Sequence, residues 1–104
     1  MDPLEAISEP RRREILALLT AEGEMAVSEL AEHLPVSRPA VSQHLRVLLD
    51  NGLVDERRSG RHRFYCVNPE GVARARAAIE VFLVNELDDL ETAARNFARM
   101  NRPS

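Results

Sequence analysis

The stretch from residue 27 to residue 67 constrains the fold most, because several short structural signals follow one another there without a long connection. The first is a short helix pattern, VSELAEHL, followed by a turn, PVS, in which the proline disfavours further helix. Next come a second helix pattern, RPAVSQHLRVLLDNGL, and two strand patterns joined by a glycine-containing turn, Ser59-Gly60-Arg61. Two helices, a tight turn and a hairpin in this order predict a winged helix-turn-helix, whose second helix enters the major groove of DNA.

The second helix of this stretch has two unlike faces. At 100° per residue, Val41, Leu45 and Leu48 share an apolar face, and Ser37 precedes the helix as its predicted N-cap. The opposite face, named the reading face below, consists of Pro39, Ser42, Gln43 and Arg46. Gln can bind adenine and Arg can bind guanine by paired hydrogen bonds, and Ser can reach bases or phosphates. We therefore predict DNA contact here, with a solvated face as the alternative. His44 lies on the flank, where it either packs or contacts phosphate.

Positive charge is concentrated in the same region, although the net charge of the chain is −3. Residues 37–68 contain six arginines and three acidic residues, whereas residues 1–36 contain three arginines and eight acidic residues. The hairpin tip holds five basic or titratable side chains: Arg57, Arg58, Arg61, His62 and Arg63. Because such groups repel one another and a phosphate backbone relieves the repulsion, we predict that the wing contacts DNA, with a solvated turn as the alternative.

Both ends of the chain carry apolar faces that suit a homodimer interface. Residues 2–8 are a short helix candidate with Leu4 and Ile7 on one face, and a long helix is predicted over residues 69–99. The apolar positions of the long helix, named the apolar seam below, recur at nearly heptad spacing: Ile79, Leu83, Leu87, Leu90, Ala94 and Phe97. A helix of about 30 residues is ~45 Å long, more than one small domain needs, so a helix folded onto its own domain is the weaker alternative.

Other features complete the predicted layout. We predict one domain over residues 1–104, mainly α with a small β-hairpin (α+β). The helix-turn-helix occupies residues 27–52, the wing residues 53–67, and the dimerisation helices residues 2–8 and 69–99. Gly71 is expected to loosen the start of the last helix, and residues 101–104 are expected to be disordered.

Several protein classes are excluded by what the sequence lacks. The apolar runs are far shorter than the roughly 20 residues of a membrane span, and the acidic N-terminus lacks a signal-peptide pattern, so we expect a cytoplasmic protein. His33, His44, His62 and Cys66 fall on different elements without metal-site spacing, so no metal or other cofactor is predicted. No nucleophile, base and orienting group form a recognisable set, so an enzyme is not predicted. Cys66 is interpreted as a packed strand residue, with redox sensing as the alternative.

Three segments together resemble the ArsR/SmtB family of bacterial repressors: SEPRRREIL, VSELAEHLPVSRPAVSQHLRVLLDNGLV and RSGRHRFYCVNP. The resemblance covers nearly the whole chain. It implies a homodimer that forms through the first and last helices, binds a palindromic operator near its own gene and blocks transcription. It also implies DNA-contacting positions on the second helix and the wing: Ser37, Arg38, Pro39, Ser42, Gln43, Arg46, Arg58 and Arg61. His44 and Arg63 complete the predicted set.

The chain departs from this family at the positions of the usual metal sites. Arsenic and cadmium sensors carry a Cys-Val-Cys pair where this chain has Ala26 and Ser28, and neither residue offers a thiolate. Zinc-type sensors use Asp and His on the last helix, but residues 69–104 contain no His. The resemblance therefore implies the fold and DNA binding without identifying an effector.

Two other functions fit the same predicted fold. A non-specific architectural DNA-binding protein would take its affinity mostly from phosphates and would show a steep salt dependence. A winged helix used for protein interaction would have an acidic or apolar reading face, which Gln43, Arg46 and the arginines of the wing contradict. A sequence-specific regulator is favoured, because a rigid dimer would hold two reading helices about one DNA turn apart.

Overall fold

The computed structural model describes residues 1–100 and confirms a mainly α architecture with a small β-sheet. The elements in chain order are α1 (Pro3–Ser8), α2 (Pro10–Glu22), β1 (Met25–Ala26), α3 (Val27–His33), α4 (Arg38–Asp50), β2 (Val54–Ser59), β3 (His62–Val67) and α5 (Pro69–Met100). The tail that is predicted to be disordered, residues 101–104, lies outside the described residues.

A single apolar core joins α2, α3, α4 and the sheet. Its largest fully buried side chains come from each of these elements and from the residue that precedes β2: Ile15, Leu30, Val41, Leu45, Leu48, Leu53 and Val54. The apolar face predicted for the second helix of the pair is thus confirmed, and its burial turns the opposite face of α4 to solvent. The predicted cap is also present, because the backbone N–H of Ala40 donates to Ser37 Oγ at 3.3 Å.

The sheet contains a third strand that the sequence pattern does not predict. β1 pairs antiparallel with β3, with Met25 opposite Tyr65 and Ala26 opposite Phe64, and the strand order is β1-β3-β2. A strand of two residues is too short to show an alternating pattern, so residues 24–26 resemble a simple connection in the sequence. Through this pairing, the strand directly before α3 is hydrogen-bonded to the wing.

Gly71 has a role opposite to the one expected from its helix propensity. It is buried in the first turn of α5, where Asn68 Oδ1 accepts a hydrogen bond from its backbone N–H at 2.9 Å. A Cβ atom built at this position would lie 1.8 Å from the carbonyl oxygen of Gly52. The expectation that Gly71 loosens the helix start is therefore wrong, because the absent side chain lets α5 pack against the backbone of the turn that follows α4.

The second half of α5 extends beyond the rest of the molecule. With this helix included, the extents are 76 × 28 × 23 Å. Every residue from 80 to 100 is exposed in the single chain, including Leu83, Leu87 and Leu90 of the apolar seam. The alternative in which this helix folds back onto its own domain is therefore wrong from residue 80 onward. Within residues 1–100, no helix combines the length and the apolar character that crossing a membrane requires.

Candidate nucleic-acid interface

The predicted contact residues of α4 lie on the outside of the molecule, with one exception. The exposed ones are Ser37, Arg38, Pro39, Ser42, Gln43 and Arg46. His44 is instead half-buried, and its Nδ1 atom lies 3.8 Å from Glu9 Oε2 at the start of α2. The structure therefore places His44 at the contact between α4 and α2, on the flank of the reading face, where its DNA contact stays a prediction.

An open cleft of about 530 Å³ lies between the beginnings of α3 and α4 and the tip of the wing. It is lined by Ala26, Val27, Ser28, Arg38, Pro39, Ser42, Arg61, His62 and Arg63, and none of these residues is acidic. Three guanidinium groups and two hydroxyl groups thus converge on one surface, which suits the oxygens of a phosphate backbone. The cleft, named the arginine cleft below, joins part of the reading face to the wing.

Ser28 is a lining residue that the sequence pattern does not single out. Its position in the second residue of α3 gives no base-contacting signal, and only the fold brings α3 beside the wing. The pairing of β1 with β3 is the feature that creates this proximity. Short-range periodicity therefore could not have placed Ser28 in the cleft.

Arg57 forms an ion pair within the chain and is not available at the wing tip as a free cation. Its guanidinium donates to both carboxylate oxygens of Glu24, at 2.6 and 3.1 Å, and lies 4.8 Å from the centre of the Phe64 ring. The hydrogen bond from Arg57 lowers the pKa of Glu24, and the same contact raises the pKa of Arg57. The repulsion predicted among the wing cations is thus partly relieved inside the molecule.

Arg58 and Arg63 share a second carboxylate. They lie directly opposite each other in the β2–β3 pairing, and their Nε atoms are 3.7 and 3.8 Å from Glu56 Oε1. The hydroxyl of Tyr65 donates to the other oxygen of Glu56 at 3.4 Å. Burial raises the pKa of Tyr65, and the nearby charge of Glu56 adds to the increase. Within residues 1–100, Arg61 is a wing arginine that has no acidic partner.

The predicted dimer residues divide into two groups. Leu4 and Ile7 are partly buried on α1, which packs beside the start of α5, and Ile7 and Ile79 line the same apolar groove of about 280 Å³. The other predicted residues lie farther along the projecting part of α5 and are exposed in the single chain: Leu83, Leu87, Leu90, Ala94 and Phe97. The structure therefore brings Ile7 of α1 to the first residue of the apolar seam, Ile79, and not to the residues beyond it.

The candidate ligands for a metal ion remain scattered in the fold. Among residues 1–100, no group of three His, Cys, Asp or Glu side chains is arranged to hold a metal ion. Cys66 is a half-buried free thiol on β3, directly opposite Asp55.

The comparisons with known proteins agree with this geometry. The model of the family described as bacterial regulatory protein, arsR family, matches residues 9–56. The HTH-type transcriptional regulator Rv2034 of Mycobacterium tuberculosis is 46% identical over 83 residues, which cover 80% of this chain and 77% of that protein. An arsenical resistance operon repressor of Staphylococcus xylosus is 42% identical over 67 residues, 64% of each chain. The chain belongs to the arsR family.

Solved structures of similar proteins support the same assignment. The crystal structure of a possible transcriptional regulator for arsenical resistance superposes with a TM-score of 0.79 at 48% identity, over 89% of this chain and 96% of that one. The homodimeric winged helix-turn-helix DNA-binding domain of a possible ArsR-family regulator from Mycobacterium bovis gives a TM-score of 0.61 at 36% identity, over 80% and 76% of the two chains. This arsR-family chain is accordingly a DNA-binding transcriptional regulator with a winged helix-turn-helix fold.

Proposed function

We propose that the chain is a cytoplasmic, homodimeric repressor, and not an enzyme, that binds a palindromic operator beside its own gene. The observation that carries this proposal is the continuity between the exposed reading face of α4 and the arginine cleft, which has no acidic lining residue. A base-reading surface beside a cationic surface is the arrangement that sequence-specific binding requires. A repressor among the relatives and a homodimer among the similar structures support the regulatory part.

In the proposed complex, α4 enters the major groove and presents Gln43 and Arg46 to base edges, with Ser42 in reach of bases or phosphates. Pro39 packs against the groove wall, and Ser37 and Arg38 lie at the start of α4, where one strand of the backbone passes. The wing arginines contact the neighbouring phosphates: Arg58, Arg61 and Arg63. Base contacts would then specify the sequence, while phosphate contacts fix the position of the protein on the duplex.

The homodimer is proposed because the leucines of the apolar seam, Leu83, Leu87 and Leu90, have no covering element in the described part of the chain. Leu87 and Leu90 are 62% and 66% exposed. Single exposed leucines are common on protein surfaces, but a row of them on one helix face is typical of an interaction site. Pairing two copies along these helices would bury the seam and place two reading helices in a fixed relation. Such a relation matches an operator of two half-sites about one helical turn, roughly 34 Å, apart.

The test is fluorescence anisotropy with the duplex upstream of the gene and a scrambled duplex of equal length, across a salt series. The proposal expects a tight and selective complex that contains two subunits per duplex. Equal affinity for both duplexes, with a steep salt dependence, would overturn sequence-specific repression in favour of architectural DNA binding. Failure to bind either duplex would also contradict the proposal and favour a protein partner.

A further inference from the structure

We infer that Glu56 is a positioning residue of the wing, which restrains Arg58 and Arg63 and thereby limits the sequence-independent part of the DNA affinity. The inference rests on the proposed DNA-binding function of the wing. Glu56 is an acidic residue within a cationic surface. Its carboxylate is expected to weaken the attraction of this surface for DNA phosphates.

The hairpin register brings the three charged groups together. Glu56 and Arg58 are two residues apart on β2, so their side chains lie on one face of the hairpin, and Arg63 is the direct cross-strand partner of Arg58. Two like charges at opposed positions destabilise a strand pair. Because Glu56 Oε1 lies within 4 Å of both guanidinium Nε atoms, this one carboxylate offsets the repulsion of the pair.

Glu56 is held from the core side, whereas the two arginines extend into solvent. The side chain of Glu56 is 21% exposed, compared with 67% for Arg58 and 52% for Arg63. Its second oxygen accepts a hydrogen bond from the hydroxyl of Tyr65, which is a buried residue of the core. The carboxylate is therefore the fixed member of the cluster, and the guanidinium groups turn their Nε atoms toward it.

Competition follows from this arrangement. A DNA phosphate that binds Arg58 or Arg63 has to draw the guanidinium away from Glu56, or share it with an anion of the same charge. The opposing effect is the same for every DNA sequence, because phosphates carry no sequence information. Glu56 should thus weaken cognate and non-cognate binding by the same factor, and the ratio of the two affinities should not change.

The other two wing arginines do not contact Glu56, so the loss of its charge should affect Arg58 and Arg63 only. Arg57 is bound by both oxygens of Glu24, and Arg61 has no acidic partner among residues 1–100. Removing the charge of Glu56 therefore releases Arg58 and Arg63 for contact with phosphate. The ion pair of Arg57 and the solvent-facing position of Arg61 stay unchanged.

The test compares Glu56→Gln with Asp55→Asn, which removes the same charge from the adjacent residue. Asp55 lies on the other face of the hairpin, where Asn68 Nδ2 donates to it at 3.1 Å. Both variants are measured by anisotropy on the scrambled duplex and on the upstream duplex, across the salt series. We expect E56Q to raise both affinities about fivefold and to steepen the salt slope by about one unit, with a much smaller effect of D55N.

A double-mutant cycle supplies the decisive control. In an Arg58→Ala, Arg63→Ala background, E56Q should lose its effect, because no arginine remains to be released. Equal effects of E56Q and D55N, weaker binding by E56Q, or an undiminished effect in that background would each overturn the inference. Thermal melts verify folding, and Glu56→Thr, which suits a strand, replaces E56Q if the latter melts early. If the native chain binds both duplexes equally, that result contradicts the proposed function only. The effect of E56Q on the scrambled duplex still tests the role of Glu56.

Discussion

Arg46 has the longest side chain of the reading face, and in the single chain its guanidinium Nε lies 3.2 Å from Asp50 Oδ1, one turn along α4. Both side chains are well exposed, at 75% and 58%. An exposed ion pair of this kind contributes at most about 1 kcal/mol. A guanine edge that offers two acceptors can therefore replace Asp50 as the partner of Arg46 at little cost.

Arg46 is expected to recognise a base in each half-site of the operator. Arg46→Ala should cost about 1–3 kcal/mol on the operator and relax the preference at one base pair in each half-site. Anisotropy with a set of operators that carry single base-pair changes measures both effects. Asp50→Asn is the control, because it removes the partner of Arg46 and leaves the proposed base contact in place. Uniform weakening on all duplexes would instead identify Arg46 as a phosphate contact.

The ion pair of Glu24 with Arg57 should make the stability of the fold depend on pH. Because the pKa of Glu24 is lowered in the folded chain, the carboxylate stabilises the fold above the usual pKa of 4.5, and this stabilisation is lost as the pH falls through the lowered value. At neutral pH, the Glu24→Gln variant should therefore have a slightly lower melting temperature than the native chain. Between about pH 5 and 3, its melting temperature should fall by fewer degrees than that of the native chain.

Thermal melts followed by circular dichroism measure the difference, which should be a few degrees. Glu22→Gln is the matched control, since Glu22 is an exposed carboxylate that has no ion pair among residues 1–100. If the native chain and E24Q lose the same number of degrees on acidification, the pair with Arg57 has no effect on stability.

At the scale of elements, the sequence predicted best what depends on neighbours along the chain. The cap at Ser37 and the buried Val41, Leu45 and Leu48 follow from rules that act within one or two helical turns. The contacts of Glu56 with Arg58 and Arg63 depend on the cross-strand register, which hydrophobic patterning determines only weakly at an exposed hairpin tip. β1 could not be predicted from local patterning either, because its two residues pair with a strand about 40 positions away in the sequence.

Gly71 gives the clearest conflict between a local rule and the tertiary contact. Helix propensity predicts that Gly71→Ala stabilises α5 by about 1 kcal/mol. The contact with Gly52 predicts the opposite sign, because the new methyl group would lie 1.8 Å from a backbone carbonyl oxygen, so that the backbone itself would have to shift. We expect a net loss of about 3 kcal/mol in the free energy of unfolding, measured by urea denaturation.

Gly23→Ala is the comparison for this variant. Gly23 has a φ of 81°, and no atom lies within 4 Å of the position that a new methyl group would take, so only backbone strain opposes the substitution. With a ψ of −151°, Gly23 has a backbone conformation that other residues rarely adopt, so the cost should be about 1–2 kcal/mol, smaller than that of Gly71→Ala. A stabilised Gly71→Ala variant would mean that α5 and the turn after α4 separate easily.

At the scale of the whole molecule, the projecting half of α5 is the proposed interface between two copies. Leu87→Glu would place a carboxylate in the proposed apolar interface, where an unpaired charge costs about 3 kcal/mol or more. We expect the dimer dissociation constant to rise about a hundredfold, so that sedimentation at micromolar concentration detects monomers.

Val81→Glu provides the control on the same helix. Val81 and Leu87 are both 62% exposed, but at 100° per residue Val81 lies on the side of α5 opposite the apolar seam. The Val81→Glu variant should therefore remain dimeric. A persistent dimer in the Leu87 variant, or monomers in both variants, would place the interface outside the seam.

The packing of Gly71 on Gly52 also makes α5 a lever that is attached to the turn directly after α4. The 32 residues of α5 extend over about 48 Å, and a tilt of about 5° at one end moves the other end by about 4 Å. This displacement is close to the rise of one base pair, about 3.4 Å. In the proposed dimer, a substitution that alters the crossing angle of the two long helices would thus change the half-site spacing that fits, without altering any residue that contacts a base.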